Sequence, residues 1–211
     1  MKKEFALAAL LAMAPLAASA ADGLSYTYVE GGYAKLHIDE GELNNPEGDG
    51  AYIRGSFGFG GSYHVFGGYN QVSTDQRYDV FGGPLRIDID LDQSELGLGY
   101  HQAMGERVDF LAELSYLRQG TDVTASLPGG PESKGSNSFS GGKIAVGVRG
   151  AASDNVEGWL KVGYLDGGDF DGTFTATLGG QVKFNPTWGI VGEVEFIEDE
   201  TNYRVGVRAS F

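Results

Sequence analysis

Asn202-Tyr203-Arg204-Val205-Gly206-Val207-Arg208-Ala209-Ser210-Phe211 alternates without a break. Tyr203, Val205, Val207, Ala209 and Phe211 fall on one side of an extended chain; Asn202, Arg204, Gly206, Arg208 and Ser210 fall on the other. Successive side chains of a strand point to opposite faces, so this stretch reads as a strand with one apolar and one polar face. The pattern continues upstream. Trp188, Ile190, Gly192, Val194 and Phe196 oppose Gly189, Val191, Glu193 and Glu195. Phe174, Ala176, Leu178, Gly180, Val182 and Phe184 oppose Thr173, Thr175, Thr177, Gly179, Gln181 and Lys183. Val156, Leu160, Val162 and Tyr164 back onto Glu157, Lys161 and Gly163, and Ile144, Val146 and Val148 back onto Lys143, Gly147 and Arg149. Val108, Phe110, Leu114 and Tyr116 back onto Asp109, Glu113 and Ser115.

A soluble sandwich and a membrane barrel both alternate in this way. Three features favour the barrel. The apolar faces of the last three strands carry no charge, as expected where Arg or Lys at mid-bilayer costs about 2–4 kcal/mol. Rings gather at strand ends, as Phe184, Trp188 and Phe211, and as Tyr26, Tyr28 and Phe196; such rings form the aromatic girdles of outer-membrane barrels. The strand that ends on Phe211 resembles the terminal signature read by the barrel assembly machinery.

The first twenty residues read as a cleaved secretory signal. Lys2 and Lys3 make a short basic head, Phe5 to Leu16 is almost wholly apolar, and Ala18-Ser19-Ala20 is a small-residue cleavage site. That apolar run falls short of the roughly 20 residues that span a bilayer as a helix. The expected organisation is a signal over 1–20 and one barrel over 21–211. Exported without a single cysteine, the chain fits a Gram-negative envelope better than a disulfide-stapled extracellular space. Its net charge of -14 argues against a nucleic-acid partner, which requires a basic surface.

Ten strands are expected, near 24–38, 49–59, 63–73, 86–102, 107–121, 139–151, 156–166, 170–184, 188–197 and 202–211, forming an antiparallel up-and-down all-β transmembrane barrel. Eight follow if part of 63–90 is a loop excursion. Short turns fall at Gly60-Gly61-Ser62, Ala103 to Glu106, Ala152 to Asn155 and Asn185-Pro186-Thr187. Longer polar connections fall at Asp39 to Asp49, Thr74 to Leu85, Thr121 to Ser138, Asp166 to Asp169 and Glu198 to Thr201. Short periplasmic turns alternating with longer outer loops are the habit of bacterial barrels. Ile87, Ile89 and Leu91 are out of phase with Leu96, Leu98 and Tyr100, which predicts a bulge near Gln93. Glu30 shares a face with Tyr26 and Tyr28, and its side of the sheet is left open. Glycine, 35 residues in all, lies largely inside strands, where it permits curvature.

The run Ala21-Asp22-Gly23-Leu24-Ser25-Tyr26-Thr27-Tyr28-Val29-Glu30-Gly31-Gly32-Tyr33 resembles the mature start of a family of small outer-membrane barrels. The family comes from xanthomonad-type bacteria and was once proposed to act in plant immunity and quorum signalling. Phe66-Gly67-Gly68-Tyr69 and Gln181 to Gly189 are similar to the same family, so the resemblance brackets the mature chain. Thr121 to Ser138 is longer than the family pattern, so no loop-borne function is carried over. The resemblance implies outer-membrane residence, release in membrane vesicles and a link to biofilm or virulence behaviour. It supplies no catalytic residue and no cofactor.

The residues themselves offer little chemistry. His37 lies near Asp39 and Glu40, a weak His–carboxylate candidate for activating water at an outer rim. His64 and His101 sit at the opposite strand ends, where hydrogen-bonding filler is the plainer role. No serine stands in a nucleophile motif with a paired histidine. Asp166, Asp169 and Asp171 suggest a calcium loop but lack EF-hand spacing, and a glycine-permitted hairpin whose aspartates favour the turn is the plainer reading. Asp88, Asp90 and Asp92 share one strand face near an outer loop, read as a solvated edge. Inward faces collect Arg54, Lys143, Arg149, Lys161, Lys183, Arg204 and Arg208 with Glu95, Glu113, Glu157, Glu193 and Glu195. Open aqueous channels belong to barrels of roughly 16–18 strands, so these charges are expected to pair and plug a narrow lumen.

The sequence therefore predicts a monomeric outer-membrane barrel with acidic outer loops. It would act in adhesion, membrane integrity or vesicle-borne contact, with no catalytic, cofactor or metal residue assigned. Outer-membrane lipid, lipopolysaccharide and a host or matrix ligand at the loops are the expected partners. A narrow channel is the second reading and an outer-rim hydrolase the third.

Overall fold

Alternation settles into strands wherever one face can meet lipid and the other a packed interior. The computed structural model describes residues 24–38, 47–80, 83–126, 132–168, 170–198 and 200–211. It contains ten strands: β1 (Tyr28–Ile38), β2 (Glu47–Phe59), β3 (Tyr63–Val80), β4 (Gly83–Ala103), β5 (Val108–Ser126), β6 (Ser133–Ser153), β7 (Val156–Gly167), β8 (Phe170–Lys183), β9 (Trp188–Ile197) and β10 (Glu200–Ser210). Each pairs antiparallel with its neighbours in sequence, and β1 pairs with β10. The sheet is a closed barrel, so ten strands replace the eight-strand alternative. The expected signal over 1–20 lies outside the described residues.

Closure is stitched at the seam between β1 and β10. Phe211 donates its backbone N–H to the Thr27 carbonyl at 2.9 Å, and the Ser25 hydroxyl reaches the Phe211 carbonyl at 2.7 Å. With both edges of the sheet consumed, no strand edge is left in the hydrocarbon.

The outside is apolar. Leu114, Ile144, Val146, Leu160, Val162, Leu178, Val182, Ile190, Val205 and Val207 are all exposed. In a water-soluble monomer such a continuous surface would aggregate; facing lipid it costs nothing. Tyr33, Tyr69, Tyr116, Tyr164, Phe174, Phe196 and Tyr203 ring its long-loop rim. Phe59, Tyr63, Phe184 and Trp188 ring the short-turn rim. The step from Val156 to Tyr164 rises about 20 Å, taking about 3.3 Å per residue and a tilt of about 40°, close to the roughly 25 Å apolar band of outer-membrane barrels.

Two expectations are corrected here. No bulge occurs at Gln93: β3 and β4 pair in unbroken register from Tyr63 opposite Tyr100 to Val80 opposite Gly83. The register shifts fall instead between Ala151 and Ser153 and between Leu165 and Gly167. Ile87, Ile89 and Leu91 are out of phase because the strand has risen above the lipid, where the apolar side turns toward the barrel axis. The stretches Thr74 to Leu85 and Thr121 to Ser138 are also largely strand rather than loop. β3, β4, β5 and β6 run 18, 21, 19 and 21 residues, against 10 to 14 for the other six strands. Four adjacent strands thus rise as a wall on one side of the mouth.

Strand glycines make room for rings. A Cβ at Gly179 would lie inside the envelope of the Trp159 indole, and one at Gly99 inside that of the His64 imidazole. Each glycine lets a bulky neighbour lie flat against the inner sheet surface.

Candidate functional site

Within the lipid belt the charged parity of the strands faces inward, and the lumen is where the buried charges collect. Arg54, Lys143, Arg149, Lys161, Lys183, Arg204 and Arg208 all enter it, as their alternation predicts. Glu95, Glu113, Glu157, Glu193 and Glu195 enter with them.

At the short-turn end, the Arg149 guanidinium holds Glu157 at 2.5 Å and donates to the Ser25 carbonyl at 2.8 Å. Lys183 closes on the same carboxylate. In the middle layer, Arg208 meets Glu30 at 2.5 Å, Arg54 meets Glu30 at 3.0 Å and Glu193 at 2.8 Å, and the Trp159 indole N–H donates to Glu193 at 2.8 Å. Lys161 meets Glu113 at 2.8 Å. Nearer the long-loop end, Arg204 bridges Glu193 at 3.1 Å and Glu195 at 2.9 Å, while Lys143 bridges Glu95 at 2.8 Å and Glu195 at 3.1 Å. The Ser115 hydroxyl donates to Glu95 at 2.7 Å. Every one of these carboxylates has a cationic partner, which is what a buried charge demands.

Above the charges the lumen turns apolar. Ala34, Leu36, Tyr52 and Val72 cluster on one side, with Ile38 and Leu91 packed against them; Leu117, Leu165 and Ile197 cluster on the other. Between the layers remains a space of about 80 Å³, lined by Arg54, Glu113, Lys143, Trp159, Glu193 and Arg204 among others. That is room for a few water molecules and little else. Nδ1 of His64, which lines this space and has no protein partner, suits such water.

Sequence reading missed Glu30, the anchor that joins β1, β2 and β10. Its parity with Tyr26 and Tyr28 was the available signal, because all three point inward. The two tyrosines are therefore corrected from girdle to lumen. Arg208 lies 3.9 Å from the Tyr28 ring centroid and Arg149 lies 4.9 Å from that of Tyr26, so cation–π stacking holds both rings inside. The Tyr26 hydroxyl donates to Asp109 at 2.8 Å. Phe184, Trp188 and Phe196 do face outward.

His64 and His101 pack as rings at the short-turn end. Tyr26 stacks on His101 at 3.7 Å and on His64 at 5.0 Å, and His64 Nε2 stands 3.8 Å from Glu113. His37 sits on the outer face of β1 with Nδ1 3.4 Å from Glu47, which also takes Lys35 at 2.6 Å. Asp39 and Glu40 lie outside the described residues.

Asp166 Oδ1 accepts the Gly167 N–H at 2.7 Å, with Gly167 and Gly168 in left-handed conformations at φ 90° and 67°. This carboxylate shapes the turn. Asp169 and the Asp171 side chain lie outside what is described. Asp88, Asp90 and Asp92 face outward above the lipid belt, Asp88 opposite Asp75 and Asp90 opposite Asp122. Among the described residues no group of three or more His, Asp or Glu side chains is placed to hold a metal ion.

No protein-family model and no curated protein matches this chain. Solved structures similar to it are small barrels. Ail, the attachment invasion locus protein of Yersinia pestis, is 14% identical over 88% of this chain and 97% of its own, with a TM-score of 0.47. The outer membrane protein OprG from Pseudomonas aeruginosa is 13% identical over 90% and 98%, at 0.45. Neisserial surface protein A is 17% identical over 89% and 98%, at 0.43.

Proposed function

We propose that this chain is a monomeric outer-membrane β-barrel that works as a surface-contact and structural element, without catalysis. The observation that carries this is the lumen: cations and carboxylates pair nearly one for one, under a lid of apolar side chains. A channel that conducts must leave charges solvated along a continuous path, and this interior spends them on each other. The short-turn end would face the periplasm and the raised wall the outside. Lipid and lipopolysaccharide would surround the belt, and the assembly machinery would read the strand ending in Phe211. Adhesion, vesicle-borne contact and a host or matrix ligand at the outer end are the roles this shape suits. The xanthomonad-type resemblance points the same way.

A narrow conductance is the second reading, favoured by the water-sized space among the charges. Planar-bilayer recording of the refolded barrel separates the two. The wild type should give no discrete current steps, and Arg204→Ala, which removes the bridge between Glu193 and Glu195, should begin to leak. Reproducible unitary steps in the wild type that vanish in Arg204→Ala would replace the plug with a pore.

A further inference from the structure

Glu30, Glu95, Glu113, Glu157, Glu193 and Glu195 are each met by a cation inside the lumen; Glu200, above them, is not. It enters from the top of β10, opposite Ile38 of β1 and Ile197 of β9, and shares the inward parity of Asn202 and Arg204. Its Oε1 accepts the Gln119 Nε2–H at 3.3 Å. Because β5 and β10 are not neighbours in the sheet, that bond crosses the mouth of the lumen. Among the described residues no Lys, Arg or His side chain pairs with Glu200. The outer segments 39–46 and 127–131 contain no Lys or Arg, and Arg204 is committed to Glu193 and Glu195.

Glu200 and Gln119 border a space of about 20 Å³, lined also by Leu36, Asn70, Val72 and Leu91. It admits one water-sized group. Asn70 is only 8% exposed, and its Oδ1 has no protein partner. The lining thus offers an uncompensated carboxylate, an orphaned acceptor and an aliphatic wall, and these three together select the occupant. Water satisfies Asn70 but leaves the charge of Glu200 unmatched. Hard metal ions such as calcium take about six to eight oxygens, which a wall of Leu36, Val72 and Leu91 cannot supply. A guanidinium is planar and broader than the space. An ammonium group is water-sized, positive and a donor three times over. Above Leu91 the apolar face continues through Ile89 to Ile87, a rise along β4 of about 13 Å at about 3.3 Å per residue, and Ile38 packs against the same cluster. An aliphatic stem behind the ammonium has that surface to lie on, as the stem of a lysine lies along apolar surface behind its head.

We propose that the mouth of the barrel binds a small aliphatic primary amine, its ammonium group held between Glu200 and Asn70 and its stem against Leu91 and Ile89. The charge-assisted bond to Glu200 supplies most of the affinity, Asn70 Oδ1 takes a second N–H, and the aliphatic wall selects an alkyl amine over bare ammonium. This goes beyond the surface-contact reading and does not rest on it: a barrel that meets no matrix ligand still holds the amine.

The test titrates the full barrel, refolded in detergent, with n-butylammonium chloride and reads binding from broadening of the ligand's proton NMR lines. Glu200→Gln keeps the shape of the side chain and removes its charge, so it also controls for uptake by micelles. Broadening should saturate in the wild type, and Glu200→Gln should weaken binding by about tenfold or more. Asn70→Leu removes the orphaned acceptor at similar volume and should weaken it severalfold, with the heat-modifiable gel mobility of the barrel unchanged. Ammonium chloride, without the stem, should compete about tenfold more weakly. n-Butanol, which has the stem without the charge, and tetramethylammonium, which has the charge without a donor, should not compete. Absent or unsaturable broadening, or the same binding in Glu200→Gln, would overturn the proposal. Competition as strong from butanol would reduce the site to an apolar one, and from potassium chloride to a plain cation site; either overturns it. N-acetyl-lysine methylamide should bind more weakly than butylammonium because its two amides add bulk above the stem. Tighter binding would assign the site to a lysine side chain of a polypeptide, and overturn the assignment to a small amine.

Discussion

Glu193 receives Arg54, Arg204 and Trp159 on its two oxygens, more partners than any other carboxylate of the lumen. Removing it leaves two guanidiniums facing each other without an anion between them. Glu193→Ala should cost about 3–5 kcal/mol, the usual penalty for breaking a buried ion pair by one partner. Replacing Arg54, Glu193 and Arg204 together with apolar residues should cost less than Glu193→Ala alone. Urea unfolding of the refolded barrel in lipid vesicles measures both. At this scale the lumen charges were legible, because a charge on the polar parity of an alternating strand has one place to go. The aromatic residues were not. Tyr28 looks the same whether it faces lipid or lies under the Arg208 guanidinium, and a ring carries no sign that parity can read. Glu30 was obscured for the same reason, since rings read as lipid-facing beside a carboxylate read as buried leave the face undecided.

Strand β4 shows what period two can and cannot tell. Leu96 and Leu98 face lipid; Leu91, Ile89 and Ile87 face the axis, with no break in register between them. The parity of apolarity inverts where the solvent changes from lipid to water, and a sequence carries no mark of that boundary. The same boundary hid the height of the wall. Ser133-Lys134-Gly135-Ser136-Asn137-Ser138 is turn chemistry by composition, yet it is strand because β5 carries the ladder upward past the membrane. Such an extension is held by its neighbour and supports nothing below it. Replacing 122–137 with a short turn should therefore leave refolding and the heat-modifiable gel mobility of the barrel intact, while removing contact made at the outer end. Loss of the folded band in that variant would mean the wall is part of the membrane unit.

Across the whole molecule, a chain of net charge -14 keeps its lumen close to neutral, so the excess negative charge lies toward its ends and outer surface. This separation, together with an exterior as apolar as an ordinary core, explains how a mean hydropathy of only -0.19 belongs to a membrane-spanning protein. Within the lipid belt one face of each strand is apolar and the other is polar, charged or small, and the average cancels. Closure itself was legible as ten alternating segments, which pairs β1 with β10; the hydrogen bond from Ser25 to Phe211 that ties this seam was not, because it joins residues separated by nearly the full chain. The chain contains no cysteine, so a single cysteine can be placed anywhere without competition. Fluorophores attached in turn at 156–166, in bilayers containing brominated lipid, test the inside-out barrel most directly. Quenching should alternate, strong at Val156, Leu160, Val162 and Tyr164 and weak at Glu157, Trp159, Lys161 and Gly163, and it should fall away at Asp166. Uniform quenching through the strand, or a protein that stays dissolved and unquenched beside the lipid, would contradict it.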